Sequence, residues 1–142
     1  MAARNSSESS LPIFFTPDQA NEALPEVREI IERVIETKNE ADSKTDEDAM
    51  SKTMERLEKE IQKIEDLGCV LKDMTTGLVD FPAVRLGTRV WLCWKAGEER
   101  VMFWHGLHEG FAGRKPVNPP EFYDDDAAIS SLTSVVPAKS HA

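Results

Sequence analysis

This chain has little of what a stapled, spanning or exported protein needs. Cysteine occurs twice in 142 residues, at Cys69 and Cys93. Two thiols do not make a disulfide framework, so a cytoplasmic protein is expected. No apolar run approaches the length of about 18 residues that a membrane helix requires. The opening residues, MAARNSSESS, are polar with no apolar stretch behind them, and no secretory signal is expected. Basic residues are the minority, with 17 Lys and Arg against 26 Asp and Glu and a formal net charge of −9. That balance makes nucleic acid an unlikely partner and disfavours anionic membranes. No nucleophile elbow occurs, and neither G-x-x-x-x-G-K-[ST] nor G-x-G-x-x-G is found, so no cofactor is expected.

What is present is globular. Apolar residues make up 40% of the chain, enough for one domain. Residues 1–13 are Ser-rich and read as disordered, and 118–142 as a mostly flexible tail with an acidic run at 124–126. A short element is conceivable at 132–136. The packed domain then spans 14–117, with a helical hairpin over 16–67 and a sheet and loop over 68–117.

The helix start is signed by Thr16, Pro17 and Gln19, a capping box with Pro at the first helical position. Phe15 stands before the cap as a staple. Ala20, Leu24, Val27, Ile31 and Val34 follow at four-three spacing, and Ile30 and Ile35 widen the stripe. The spacing runs through Pro25 without slipping, which predicts one continuous, kinked helix. A turn is expected over 39–44 and a new cap at Thr45. Met50, Met54, Leu57, Ile61 and Ile64 repeat the stripe, and Gly68 ends it. A wide stripe and heptad spacing fit a coiled coil, so a homodimer through the hairpin is expected.

After Gly68 the period becomes two. Strands are predicted over 69–72, 78–84, 89–94 and 101–105, which gives an α+β fold: a long antiparallel hairpin followed by a three- to four-stranded antiparallel meander. Pro82 predicts an edge strand or a bulge. Val90, Leu92 and Trp94 point one way, Trp91 and Cys93 the other, so both faces are apolar. Charge divides too. Residues 17–67 hold 16 acids and 8 bases, and residues 68–117 hold 5 acids and 7 bases.

The stretch VMFWHGLHEGFAGRKP carries most of the side chains capable of chemistry. His105 and Asp80 are the candidates for acid–base work, because imidazole titrates near neutrality and a carboxylate can orient it. Arg114 and Lys95 would hold an anion, and Trp94 and Trp104 would pack a ligand. Gly106, Gly110 and Gly113 would bring backbone N–H groups to it. His105 and His108 are weak metal candidates, with Asp80, Glu109, Cys69 or Cys93 as possible company; their spacing is not that of a structural zinc site. The same residues also make sense as turn formers, strand aromatics and packed thiols. Asp80 interrupts an apolar strand and needs a partner, with Arg85, Arg89, Lys95 and Arg114 as candidates.

FFTPDQANEALPEVREII, LGCVLKDMTTGLVDFPAVRLGTRVWLCWKAGEERVMFWH and GFAGRKP together resemble a bacterial family, domain of unknown function 2203. The resemblance covers 14–117 apart from the middle of the hairpin. It implies no activity. It singles out Asp80, Phe81, Pro82, Trp94, Lys95, Trp104, His105, Gly110, Phe111, Gly113 and Arg114, and not His108. The expected role is a non-enzymatic, oligomerising interaction module whose sheet half takes a protein or a small anionic ligand. The alternative is a small enzyme or anion-binding protein with a site at Asp80, His105 and Arg114.

Overall fold

The computed structural model describes residues 14–122. Helix α1 spans Pro17–Ser43 and α2 spans Glu47–Asp66. Strands β1 (Val70–Asp73), β2 (Leu78–Arg85), β3 (Thr88–Lys95), β4 (Phe103–Gly106) and β5 (Lys115–Pro116) form one antiparallel sheet in the order β1-β2-β3-β4-β5. The α+β hairpin-and-meander architecture is therefore the expected one, with a short fifth strand that two residues could not announce. The expectations at 1–13, 124–126 and 132–136 lie outside the described residues.

The capping box forms: Gln19 N–H donates to Thr16 Oγ1 at 3.1 Å, and Thr16 N–H to Gln19 Oε1 at 2.9 Å. Helix α1 runs unbroken through exposed Pro25 and buries Ala20, Leu24, Val27, Ile30, Ile31 and Val34. It also continues through the expected turn, because Ala41 extends the buried stripe one turn beyond Thr37 and Lys38 pairs with Asp42 at 2.8 Å. The connection shrinks to residues 44–46. Asp46, not Thr45, caps α2, its carboxylate accepting from Ala49 N–H at 2.9 Å. The buried face of α2 is Thr53, Leu57 and Ile64, while Met50 and Met54 remain 36% and 39% exposed.

Helices pack on one face of the sheet. Val79, Phe81 and Ala83 of β2 and Val90, Leu92 and Trp94 of β3 join the α1 and α2 residues in a single core. Phe15 packs edge-on against Phe81, with ring centroids 5.3 Å apart. Pro82 does not mark an edge strand, for β2 lies between β1 and β3. Pairing with β1 ends at Asp80, however, and Phe15 N–H donates to the Pro82 carbonyl at 2.7 Å on that free side. The N–H and C=O of one strand residue point to the same side, so the missing Pro82 N–H faces away from β3. The packed chain also reaches past residue 117. A 3-10 turn at Pro119–Glu121 leads to Phe122, which is buried and bridges Arg85.

Asn21 ties the long β3–β4 loop to α1. Its amide accepts from Val101 N–H at 2.7 Å and donates to the Val101 carbonyl at 3.2 Å, as a paired strand would. The β2–β3 hairpin turns on Leu86 and Gly87, both with positive φ (49° and 80°). Gly77 also has positive φ (73°), and an added Cβ would lie 2.8 Å from Ala96 Cβ and Ile31 Cγ2. At Gly87 an added Cβ meets nothing within 4 Å. Gly87→Ala therefore costs only left-handed strain, about 1–2 kcal/mol. Gly77→Ala adds overpacking, for a total of about 2–5 kcal/mol. Urea denaturation checks the order; equal losses would contradict the close approach of α1 to the β1–β2 turn.

Candidate functional site

The outer face of the sheet, opposite the helices, is assembled by register. Asp80 on β2 lies across from Cys93 on β3, and Trp91 on β3 from His105 on β4. Asp80, Cys93 and His105 thus share one face of three adjacent strands, and all three are buried, at 2%, 0% and 4% exposed.

The partner of Asp80 is none of the expected cations. Its Oδ2 lies 3.1 Å from His105 Nε2. The other ring nitrogen, Nδ1, lies 2.9 Å from the Gly106 carbonyl, which can only accept, so Nδ1 carries a proton. One further proton then bridges Nε2 and Oδ2. The second carboxylate oxygen, Oδ1, is buried and takes no well-formed hydrogen bond among the described residues, although the Cys93 thiol and the Lys72 charge both favour the carboxylate. The ligand atoms of Asp80, Cys93 and His105 all lie within 4.8 Å of one another. Burial pushes the Asp80 carboxyl above its ordinary range, opposed by the charge and hydrogen bond of His105. Burial, and then the Asp80 charge, push the Cys93 thiol up to about 12, so it stays protonated.

Arg114 closes the cluster from outside. Its guanidinium lies 4.0 Å from the ring centre of Phe103 and 4.3 Å from that of Phe111, donates to Glu98 at 2.6 Å, and reaches Cys93 Sγ at 3.9 Å. Its side chain is only 10% exposed. Glu98 in turn anchors the loop, accepting from Lys95 N–H at 2.9 Å, while its carbonyl accepts from Trp94 Nε1 at 3.0 Å. Three more cations of this face lie over rings: Lys72 over Trp91 at 5.1 Å, Lys95 over Phe111 at 5.4 Å and Arg89 over Phe14 at 5.7 Å.

The other expected site residues separate. Trp94 is buried in the core on the helix side, and Trp104 also points to that face, between Arg85 at 4.3 Å and Lys115 at 4.9 Å. Lys95 and Arg114 are on the outer side. His108 is exposed and does not join Asp80 and His105. The glycine-rich loop wraps Glu109. Glu109 Oε1 accepts from Gly106 N–H at 2.8 Å and Lys115 Nζ at 3.0 Å, and these two bonds hold its carboxyl below the usual range. Cys93 and Glu98 are the members that sequence reasoning did not promote. A cleft of about 590 Å³ beside Trp94, Arg28 and Ile31 opens on the helix side, away from Asp80 and His105.

A helical hairpin packed on an antiparallel meander, with a buried acid–thiol–imidazole cluster on the far face, is the class of domain defined here. The chain belongs to the family described as uncharacterized conserved protein, domain of unknown function 2203, whose model matches residues 13–117. No curated protein and no solved structure matches the chain. Among the described residues, no helix is long and apolar enough to cross a membrane.

Buried Asp80 makes the stability of the fold depend on pH. Its proton is held more tightly folded than unfolded, so its contribution to stability is full below the unfolded pKa and is lost as pH rises from about 3.8 through the raised folded value. Asp80→Asn removes that loss. In metal-free buffer, the stability of the variant minus that of the native chain grows as pH rises through this interval, read by urea denaturation at stepped pH. A difference that shrinks with rising pH would contradict the burial argument.

Proposed function

We propose that this protein is a non-enzymatic interaction module that docks an acidic segment of a partner protein on the outer face of its sheet. The observation that carries the reading is the state of the cations there. Lys72, Lys95 and Arg89 lie over aromatic rings, and none of them forms a salt bridge among the described residues, the Lys72 charge also acting on buried Asp80. A cation held by a ring keeps N–H donors for an incoming carboxylate, and the ring supplies apolar contact beside it. The negative charge of the chain is concentrated in the hairpin, so this face is locally attractive to an anion. The acid–base reading is disfavoured because direct catalysis needs hydrogen-bond reach to a substrate. Asp80 and His105 are almost wholly buried and bonded to each other, and Arg114 is engaged by Glu98.

The hairpin supplies the second half of the reading, self-association. Met50 and Met54 lie one helical turn apart on α2 and remain exposed. A second copy laid against them in two-fold symmetry would cover both patches at once.

Fluorescence anisotropy with a labelled Asp/Glu-rich peptide tests the docking face. Lys72→Glu with Lys95→Glu is expected to weaken binding at least tenfold, and added salt to weaken it further. Equal binding of a Lys-rich peptide, a short oligonucleotide bound as tightly, or an unaffected double variant would overturn it. Light scattering during size exclusion at tens of micromolar is expected to give twice the chain mass, and Met50→Glu with Met54→Glu the single mass. A strict monomer would remove the dimer.

A further inference from the structure

Three donors of different chemistry meet under Arg114, and neither docking nor dimerisation uses them. We propose that Asp80, Cys93 and His105 form a binding site for one divalent transition-metal ion of the zinc class. Imidazole nitrogen, thiolate sulfur and carboxylate oxygen are the donor types such ions take, and a thiolate with an imidazole selects against magnesium and calcium.

The geometry supports a site rather than a coincidence of burial. The three residues stand on three hydrogen-bonded strands, so the backbone holds their spacing. Their ligand atoms lie within 4.8 Å of one another, and the Nε2 to Oδ2 separation is already 3.1 Å. A tetrahedral ion with bonds of about 2.0–2.3 Å needs donors about 3.3–3.8 Å apart. Side-chain shifts of about 1 Å therefore complete the set. His105 is oriented as metal-binding imidazoles are: its Nδ1–H is fixed on the Gly106 carbonyl, and Nε2 is aimed into the cluster. Asp80 Oδ1 is buried and takes no well-formed hydrogen bond among the described residues, which leaves a lone pair open to an ion beside the Cys93 thiol. Arg114, 3.9 Å from Cys93 Sγ, would stabilise the thiolate and cover the ion.

The exchange balances. The metal ion displaces the Cys93 thiol proton and the proton shared by Asp80 and His105, while Nδ1 keeps its own. Two protons leave as one doubly charged ion enters, and the net charge of the site is unchanged. Three protein donors leave one coordination position, filled by water or by the second Asp80 oxygen.

The test uses the full chain, stripped with chelator and titrated with Co²⁺ alone. One equivalent is expected to bind, with a thiolate-to-cobalt charge-transfer band and release of about two protons per ion in weak buffer. The band is expected to vanish in Cys93→Ser and persist in Cys69→Ser. Asp80→Asn is expected to weaken binding at least about tenfold. Zn²⁺ should raise the melting temperature and chelator restore it. Circular dichroism checks each variant, and if Cys93→Ser does not fold, the band and proton count of the native chain decide. Absence of the band, its survival in Cys93→Ser, or its loss in Cys69→Ser alone would overturn the site. None of these outcomes depends on whether an acidic peptide docks.

Discussion

A five-stranded meander presents two faces, and a single helical hairpin covers one of them. That constraint organises the rest of the molecule. On the covered face the solution is ordinary: Val79, Phe81, Leu92 and Trp94 meet the α1 stripe and share its core. On the other face β2, β3 and β4 carry Asp80, Cys93 and His105, which are buried with no α-helix above them among the described residues. Their shelter comes from side chains. Arg114, held between Phe103 and Phe111 and bonded to Glu98, replaces a layer of secondary structure.

This shelter explains why one short loop carries so many charged and aromatic residues. The guanidinium is planar and weakly hydrated, so it can lie between two rings and still satisfy a carboxylate at its edge. Glu98 in turn bonds the backbone of Lys95, while its own carbonyl takes the Trp94 indole N–H. Face closure and loop order are thus one network. Gly106 and Gly113 serve the same end. Space at Gly106 and Gly113 is filled by Glu109, whose carboxylate ties the start of the loop to Lys115.

Much of this fold was legible in the residues. Thr16-Pro17 and Gln19 announce α1, Gly68 ends the hairpin, and period-two patterning locates four strands. The structure adds that the two-residue turn at Leu86 and Gly87 sets Asp80 opposite Cys93. His105 was harder to place because β4 follows a loop whose course depends on Asn21, a helix residue 80 positions from Val101. Such a clamp leaves no local pattern. The Arg114 contacts to Phe103 and Phe111 are equally nonlocal in effect. Parity along a strand tells which face a residue takes, but not what covers that face. Hence residue type alone leaves Arg85, Arg89, Lys95 and Arg114 as structural partners for Asp80 beside the Asp80–His105 pairing of the alternative reading, and the sheet supplies His105. The apolar stripe of α2 runs through Met50 and Met54 in the sequence, because apolar spacing alone cannot tell which of two neighbouring rows faces α1.

The central claim is that Arg114 closes the outer face over Cys93. Native-state alkylation of the two thiols tests it most directly. Cys69 lies in the core beneath the helices and serves as the internal reference. Neither thiol should react in the native chain, and Arg114→Ala should make Cys93 reactive while Cys69 stays protected. Rapid alkylation of Cys93 in the native chain, or a Cys93 still shielded in folded Arg114→Ala, would contradict the claim.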